Sequence, residues 1–228
     1  MRLAPDTSPK ISPSDRPSVV IVEHPDVRRQ LHEIRQRTEV LRAAVIELAT
    51  VMDLARLEPD PALRANLSDL AGWMLPLIKN FGAGAGFDVA NAAIQVLGGA
   101  GYTKDWPLEQ YLRDTRVMTI YEGTTGMQAL DFLTRRLWRE RGRGLRVFLK
   151  HARQEIRGLA GQHPAKVADA LRILDDFNDL SARMMVLQAD PDTALYQAND
   201  YMNAAWRAVS AWMALRLDLI GPEEPARV

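Results

Sequence analysis

Apolar residues fall at alternating spacings of four and three along the first patterned stretch: Val27, Leu31, Ile34, Thr38, Leu41, Val45, Leu48 and Met52. That is a heptad seam, and it predicts one long helix packed antiparallel against another. Pro25 suits the first helical position and Asp26 the first turn. "EPDP" at 58–61 ends this helix and starts the next, which the pattern carries from about Pro61 to Asn80. "FGAGAG" at 81–86 is expected to break or bend it, with a third helix over about 87–97 that ends in a left-handed cap at Gly98-Gly99. After the loop "GYTKDWP", a short helix is expected over about 107–116. "VMTIYEG" is a connector, and a further helix begins at Thr125, where Thr-Gly-Met-Gln has the form of a capping box, and runs to about Arg139.

Beyond "RGRG" at 141–144, helices are expected near 145–159, 164–188 and 191–220, the last with Leu195, Ala198, Met202, Ala205, Val209 and Trp212 again at steps of three and four. No period-two run suggests a strand. The class is all-α: an antiparallel helical bundle with a smaller C-terminal helical extension. The expected division is a disordered leader over 1–22, rich in Pro, Ser and charge at its start, the bundle over 23–140, the extension over 141–220 and a tail over 221–228.

Composition narrows the partners. Among 228 residues, Lys+Arg and Asp+Glu are equal at 29 each, so no net charge draws the chain to nucleic acid or an anionic membrane. There is no cysteine, which excludes disulfides, thiolate metal sites and a cysteine nucleophile. The N-terminal stretch has no apolar run of a secretory signal, and no stretch approaches the ~20 apolar residues of a membrane span. A soluble, cytoplasmic protein is expected. His24, His32, His151 and His163 show no ligand spacing, so no metal site is expected. "GAGAG" has no strand before it and is not a dinucleotide loop. Arg135, Arg136, Arg139, Arg141, Arg143 and Arg146 form either a phosphate-binding patch or a solvated helix end that complements the macrodipole.

Two motifs hold the candidate chemistry. "QVLGGAGY" at 95–102 is at least a glycine-capped helix end, and glycines there also let a phosphate approach the backbone. "IYEGTT" at 120–125 places the Glu122 carboxylate ahead of a helix, where it is either a base or a residue favoured by the helix dipole.

Together, "QVLGGAGY" and, some twenty residues on, "LRDTRVMTIYEGTTGMQ" closely resemble the C-terminal helical domain of the acyl-CoA dehydrogenase family. "VEHPDVRRQL" and the extra C-terminal helices are most similar to a subgroup that includes enzymes of methylthiopropionyl-CoA. The resemblance covers residues 22–140 well and 141–220 in kind. It implies that Glu122 is the base that removes the α-proton of an acyl thioester while a β-hydride passes to flavin N5. It implies FAD contacts from Thr124 and, to the neighbouring subunit's pyrophosphate, from Gln95, Gly98 and Gly99. Tyr121 and Gly123 would line the substrate. The enolate-like charge would be held by the backbone N–H of Glu122 and a flavin ribityl hydroxyl, an oxyanion-hole device. Burial against flavin and acyl chain raises the base's pKa while the following helix N-terminus lowers it.

The departures are Gly126, where many members have a cofactor-contacting glutamine, the lack of an Arg-x-x-Phe-Gly-type motif before Val27, and the lack of the family's N-terminal helical and middle β domains. The implied partners are an acyl-CoA substrate and either further copies of the chain or a chain supplying the missing domains. Membrane and nucleic acid are not expected partners. A non-catalytic remnant or oligomerisation module, and a nucleic-acid-associated relative using the arginine run, are the alternatives.

Overall fold

The computed structural model describes residues 20–121, 124–161 and 163–220. Among these residues it is all helix and turn, with no strand. The elements are α1 (Pro25–Leu57), α2 (Pro61–Leu97), α3 (Leu108–Val117), α4 (Thr125–Asp131), α5 (Arg143–Gly158), α6 (Pro164–Val186), α7 (Pro191–Tyr196) and α8 (Ala198–Ile220). α4 continues as a π-helical stretch over Phe132–Arg139. None of the described helices is long and apolar enough to cross a membrane.

α1 starts as its sequence suggests, with Pro25 in the first turn and Asp26 accepting from Arg29 and Gln30. It runs antiparallel to α2: Arg37 meets Asp88 at 3.0 Å, and Leu41 lies against Gly82. Only half of the expected seam faces inward. Leu48 is buried and Val27, Ile34 and Leu41 are half-buried, but Leu31, Thr38, Val45 and Met52 are exposed. The row toward α2 that alternates with Ile34, Leu41 and Leu48 lies one residue earlier: Gln30, Arg37, Ala44 and Val51. Polar and small residues disguise that row, whereas its outward neighbour is largely apolar. The outer row leaves Leu31 39 %, Val45 46 % and Met52 46 % exposed, an apolar stripe without a partner among the described residues.

α2 begins where expected, with Pro61 in its first turn and Asp60 accepting from the N–H groups of Ala62 and Leu63 at 2.7 and 3.0 Å. The expected break at "FGAGAG" does not occur; α2 is one helix of 37 residues. Each interior glycine costs about 1 kcal/mol relative to alanine, and the helix runs on through all three. A Cβ on Gly82 would stand 3.5 Å from Leu41 and one on Gly86 3.4 Å from Thr115, ordinary contact distances, while one on Gly84 would meet nothing within 4 Å.

α4 begins at Thr125 as expected, but the capping box is not formed. Thr124, extended at φ −65° and ψ 165°, takes the N-cap position. That places Met127, not Gln128, three residues into the helix, and Met127 has no group to reach back. The long helix expected over 191–220 is divided at Gln197, whose N–H donates to Ala194 and whose carbonyl accepts from Tyr201. Its apolar row packs as the pattern implies: Ala198, Met202, Ala205, Val209 and Trp212 are all buried.

One buried core runs through both halves of the chain. Trp73 on α2 is its centre, stacked on Phe148 of α5 at 4.4 Å and tilted against Phe132 and against Phe177 of α6 at 5.6 and 6.1 Å. Gly144 is required there: a Cβ would stand 2.5 Å from both the Asp69 carbonyl oxygen and Trp73 Cβ. Tyr201 closes the ring of aromatics, its hydroxyl 3.1 Å from Ser181 Oγ. Burial pushes the Tyr201 phenol well above its ordinary pKa, against the opposing effect of its hydrogen bond with Ser181.

Charged groups join α1, α5 and α8 beside this core. Arg216 binds Glu47 at 2.6 Å and also binds Glu155, and it lies over the Trp212 ring, whose N–H donates to Glu155 at 2.9 Å. Burial pushes the Glu47 carboxyl up, but neighbouring His151 and the Arg216 guanidinium together outweigh it and hold Glu47 below the ordinary value of 4.5. A carboxyl lowered by folding contributes stability that is full above its unfolded pKa and is lost as pH falls through the folded one. Glu47→Gln is therefore expected to lower stability near neutral pH by roughly 1–3 kcal/mol. The gap to the parent should narrow as pH drops below 4.5. Urea midpoints of both proteins across that range check this; a gap independent of pH would contradict it.

Candidate functional site

The last turn of α2 presents Gln95, Gly98 and Gly99 together at the surface, all exposed. Gln95 lies in the last turn of α2, and the two glycines follow directly after its end. Gly98 ends the helix at φ 59° and ψ −139°, with its N–H donating to the Gln95 carbonyl. The positive φ expected of a glycine cap is present, although this ψ lies outside the left-handed helical region. The chain continues as a 3₁₀ turn over Gly98–Tyr102. Gly101 is demanded by packing, since a Cβ would lie 2.8 Å from the Ile94 carbonyl. Around Gly99 nothing lies within 4 Å of an added Cβ. Its backbone is open to an incoming group, and no contact within the described residues requires glycine there.

α3 turns back along α2, bringing Thr115 against Gly86 and the Arg116 guanidinium to 5.9 Å from the centre of the Phe87 ring. From Gly86 to Gly98 the helix climbs about 18 Å along its axis. The two motifs therefore occupy separate ends of this helix pair. The structure keeps the glycine turn apart from the turn after α3.

Turn bonds carry the chain from α3 to Tyr121, whose N–H donates to the Val117 carbonyl at 3.1 Å. Tyr121 is 51 % exposed. Thr124, also exposed, precedes α4 and makes no side-chain cap to it. Glu122 and Gly123 lie outside the described residues. A Cβ on Gly126, the departure from the family pattern, meets nothing within 4 Å, so a longer side chain has room there.

The surface around this turn was not anticipated from the sequence. Trp106, Tyr111, Val117, Met118 and Ile120 are each about half exposed, beside Tyr121. They lie before, along and after α3, and exposed apolar side chains of this kind mark a ligand or protein contact where they are contiguous. The signal in the sequence was the composition of "VMTIY", but only the direction of α3 shows that these side chains point outward.

The arginine run is largely engaged within the chain. Arg135 pairs with Asp131 at 2.5 Å, Arg136 with Glu140 at 2.9 Å and Arg143 with Asp69 at 3.0 Å, and Arg146 donates to the Arg141 carbonyl. That arrangement favours the helix-end reading over a phosphate patch. Among the described residues no group of three or more His, Cys, Asp or Glu is placed to hold a metal ion.

Known proteins share both the sequence and the fold. The family model for the acyl-CoA dehydrogenase C-terminal domain matches residues 15–137. The broad-specificity linear acyl-CoA dehydrogenase FadE5 of Mycobacterium tuberculosis is 35 % identical over 191 residues, covering 79 % of this chain and 31 % of that protein. The 3-methylmercaptopropionyl-CoA dehydrogenase of Ruegeria pomeroyi is 40 % identical over 135 residues, covering 59 % of this chain and 23 % of that protein. A solved structure described as Bd2924 in its apo form superposes with a TM-score of 0.62 at 19 % identity, covering 89 % of this chain and 36 % of its own; this shows likeness of fold alone. The chain thus spans about a third or less of the length of the two dehydrogenases. With its all-helical fold and a family match over more than half its length, the chain belongs to the acyl-CoA dehydrogenase family through that family's C-terminal helical domain.

Proposed function

We propose that this chain is the C-terminal part of an FAD-dependent acyl-CoA dehydrogenase, with Glu122 as the base that takes the α-proton of an acyl-CoA thioester. The observation that carries the reading is the setting of the "IYEGTT" turn. Glu122 falls in sequence between exposed Tyr121 and exposed Thr124, shortly after exposed Val117, Met118 and Ile120, in a chain of this family. Thioester and flavin both need an apolar, water-excluding site for α,β-dehydrogenation, and exposed apolar side chains near the motif are in keeping with one.

The residues present fit the flavin. Gln95 and the open backbone of Gly98 and Gly99 leave room for a pyrophosphate to approach, and Thr124 stands at the head of α4. Their separation along α2 supports contacts to two different flavins, with the glycine turn serving that of a neighbouring subunit. FAD, when bound, supplies the acceptor for the β-hydride. Glu122 accepts the α-proton, and its backbone N–H stabilises the charge that develops on the thioester oxygen. Tyr121 and Gly123 border the acyl group.

The same reading assigns 23–140 to the catalytic bundle, 141–220 to a helical extension, and 1–22 and 221–228 to a leader and a tail. Activity depends on the part of the relatives' length that this chain does not cover. Either further copies or a companion chain pack on it, and the apolar stripe of Leu31, Val45 and Met52 supports such an assembly. The setting is cytoplasmic fatty acid metabolism, without membrane attachment.

The test is to combine the chain with a protein carrying the family's N-terminal and middle domains and to record the flavin band at about 450 nm, a property of the cofactor itself. The mixture is expected to retain FAD through gel filtration and to lose the band on addition of an acyl-CoA. Retention no better than that of the companion alone would count against the reading.

A further inference from the structure

A groove of about 380 Å³ lies between α2 and α5, within the range of roughly 300–1,000 Å³ that small-molecule sites occupy. Arg143, Arg146 and Lys150 line it from α5, and Asn66 and Asp69 from α2. Spaced three and four apart, the three cations share one face of α5. Arg143 donates through Nε to Asp69 at 3.0 Å. Arg146 is held differently. Arg141 adopts a left-handed φ of 51°, uncommon for a residue other than glycine, and its carbonyl accepts from the Arg146 guanidinium. That bond steadies the side chain and leaves its charge uncompensated, because no carboxylate among the described residues pairs with Arg146 or Lys150. His151 also borders the groove, 3.6 Å from Glu47, which already binds Arg216. Three cations against one carboxylate give the groove an excess of positive charge.

Helix stability does not account for this placement. The macrodipole favours cations at the end of a helix, as with Arg136 and Arg139 in the π-helical stretch. Arg143 and Arg146 instead stand in the first turn of α5, where the dipole disfavours them and where there is no acidic residue. Like charges on one helix face add repulsion. A bound anion would relieve both.

We propose that the groove between α2 and α5 binds a small molecule carrying a phosphomonoester, with the phosphate on Arg146, Lys150 and the terminal nitrogens of Arg143. A phosphomonoester carries about 1.5–2 negative charges at neutral pH and three acceptor oxygens, which matches the groove's excess charge and its number of cationic donors. Asn66, across the groove, offers an amide to the rest of the molecule. From Arg143 to Lys150 the cations cover about 10 Å of the α5 axis. That is a footprint for one small ligand, whereas a nucleic-acid backbone is held through many phosphates. The proposal is independent of the role of Glu122.

Titration of the 228-residue chain with AMP and with inorganic phosphate, followed by calorimetry and by amide shifts in NMR spectra, tests the site. Saturable binding is expected at millimolar concentration or below, with the shifts centred on residues 143–150 and weakened by added salt. Arg146→Gln and Lys150→Gln should each weaken binding by roughly five- to tenfold. Both side chains are exposed, so the melting temperature should stay that of the parent. Lys166→Gln, which removes an exposed cation paired with Asp218 on α8, should leave binding unchanged. Asp69→Asn should tighten binding several-fold, because it removes the carboxylate of the groove and releases Arg143. Equal affinity for the two probes assigns recognition to the phosphate, and tighter binding of AMP assigns part of it to the nucleoside; both support the proposal. No saturable binding of either probe at tens of millimolar would overturn it, as would affinity unchanged in both Gln variants of the groove. Displacement of AMP by a single-stranded oligonucleotide at far lower concentration would also overturn it, and would make this face a nucleic-acid contact.

Discussion

Trp73→Ala is expected to cost about 3–5 kcal/mol of stability, the range for removing a large buried aromatic. Trp73 is 1 % exposed and meets rings from three other segments: Phe132 after α4, Phe148 on α5 and Phe177 on α6. Its neighbours cannot collapse into the gap easily. Gly144 already lies hard against Trp73 Cβ, and Phe132 and Phe177 are held from the far side by Tyr201. At roughly 2–4 °C per kcal/mol for a chain of this size, the melting temperature should fall by about 6–20 °C. Trp206→Ala is the comparison. Trp206 is half-buried and, among the described residues, stacks on one ring, Phe81, at 5.0 Å, so its loss should cost clearly less. Melting curves of the two variants beside the parent check this; equal shifts would mean that Trp73 is not the centre of the core.

The legible and illegible parts of the fold differ for physical reasons. Helix starts at Pro25 and Pro61 and the buried row of α8 were readable because cap residues and apolar periodicity act locally. Half of the α1 seam was misread because the outer row of Leu31, Thr38, Val45 and Met52 is more apolar than the inner row beside it. The inner one is marked only by Ala44, Val51 and the Arg37–Asp88 pair, which depends on α2. The run "FGAGAG" looked like a break because glycine weakens an isolated helix. Its packing against Leu41 and Thr115 comes from distant segments and leaves no local trace. At the candidate site, the position of Gly98 and its positive φ were readable from the paired glycines. The separate duties of Gly98, Gly99 and Gly101 were not, since backbone conformation, open space and close packing all appear in sequence as the same residue.

Glu122→Gln is expected to remove the base while keeping nearly the same shape, and to lower the rate of acyl-CoA oxidation by roughly 10²- to 10⁴-fold, the range for a general base. FAD retention should be unchanged, because the flavin contacts assigned to this chain are those of Gln95, Gly98, Gly99 and Thr124. Binding of acyl-CoA should also persist, so the loss falls on kcat rather than KM. Rapid-mixing measurement of flavin bleaching by acyl-CoA, in the protein assembled from this chain and the family's remaining domains, compares the parent with Glu122→Gln most directly. The account predicts fast bleaching in the parent and bleaching slower by at least about 10²-fold in the variant at equal flavin content. Equal rates in the two proteins would contradict it.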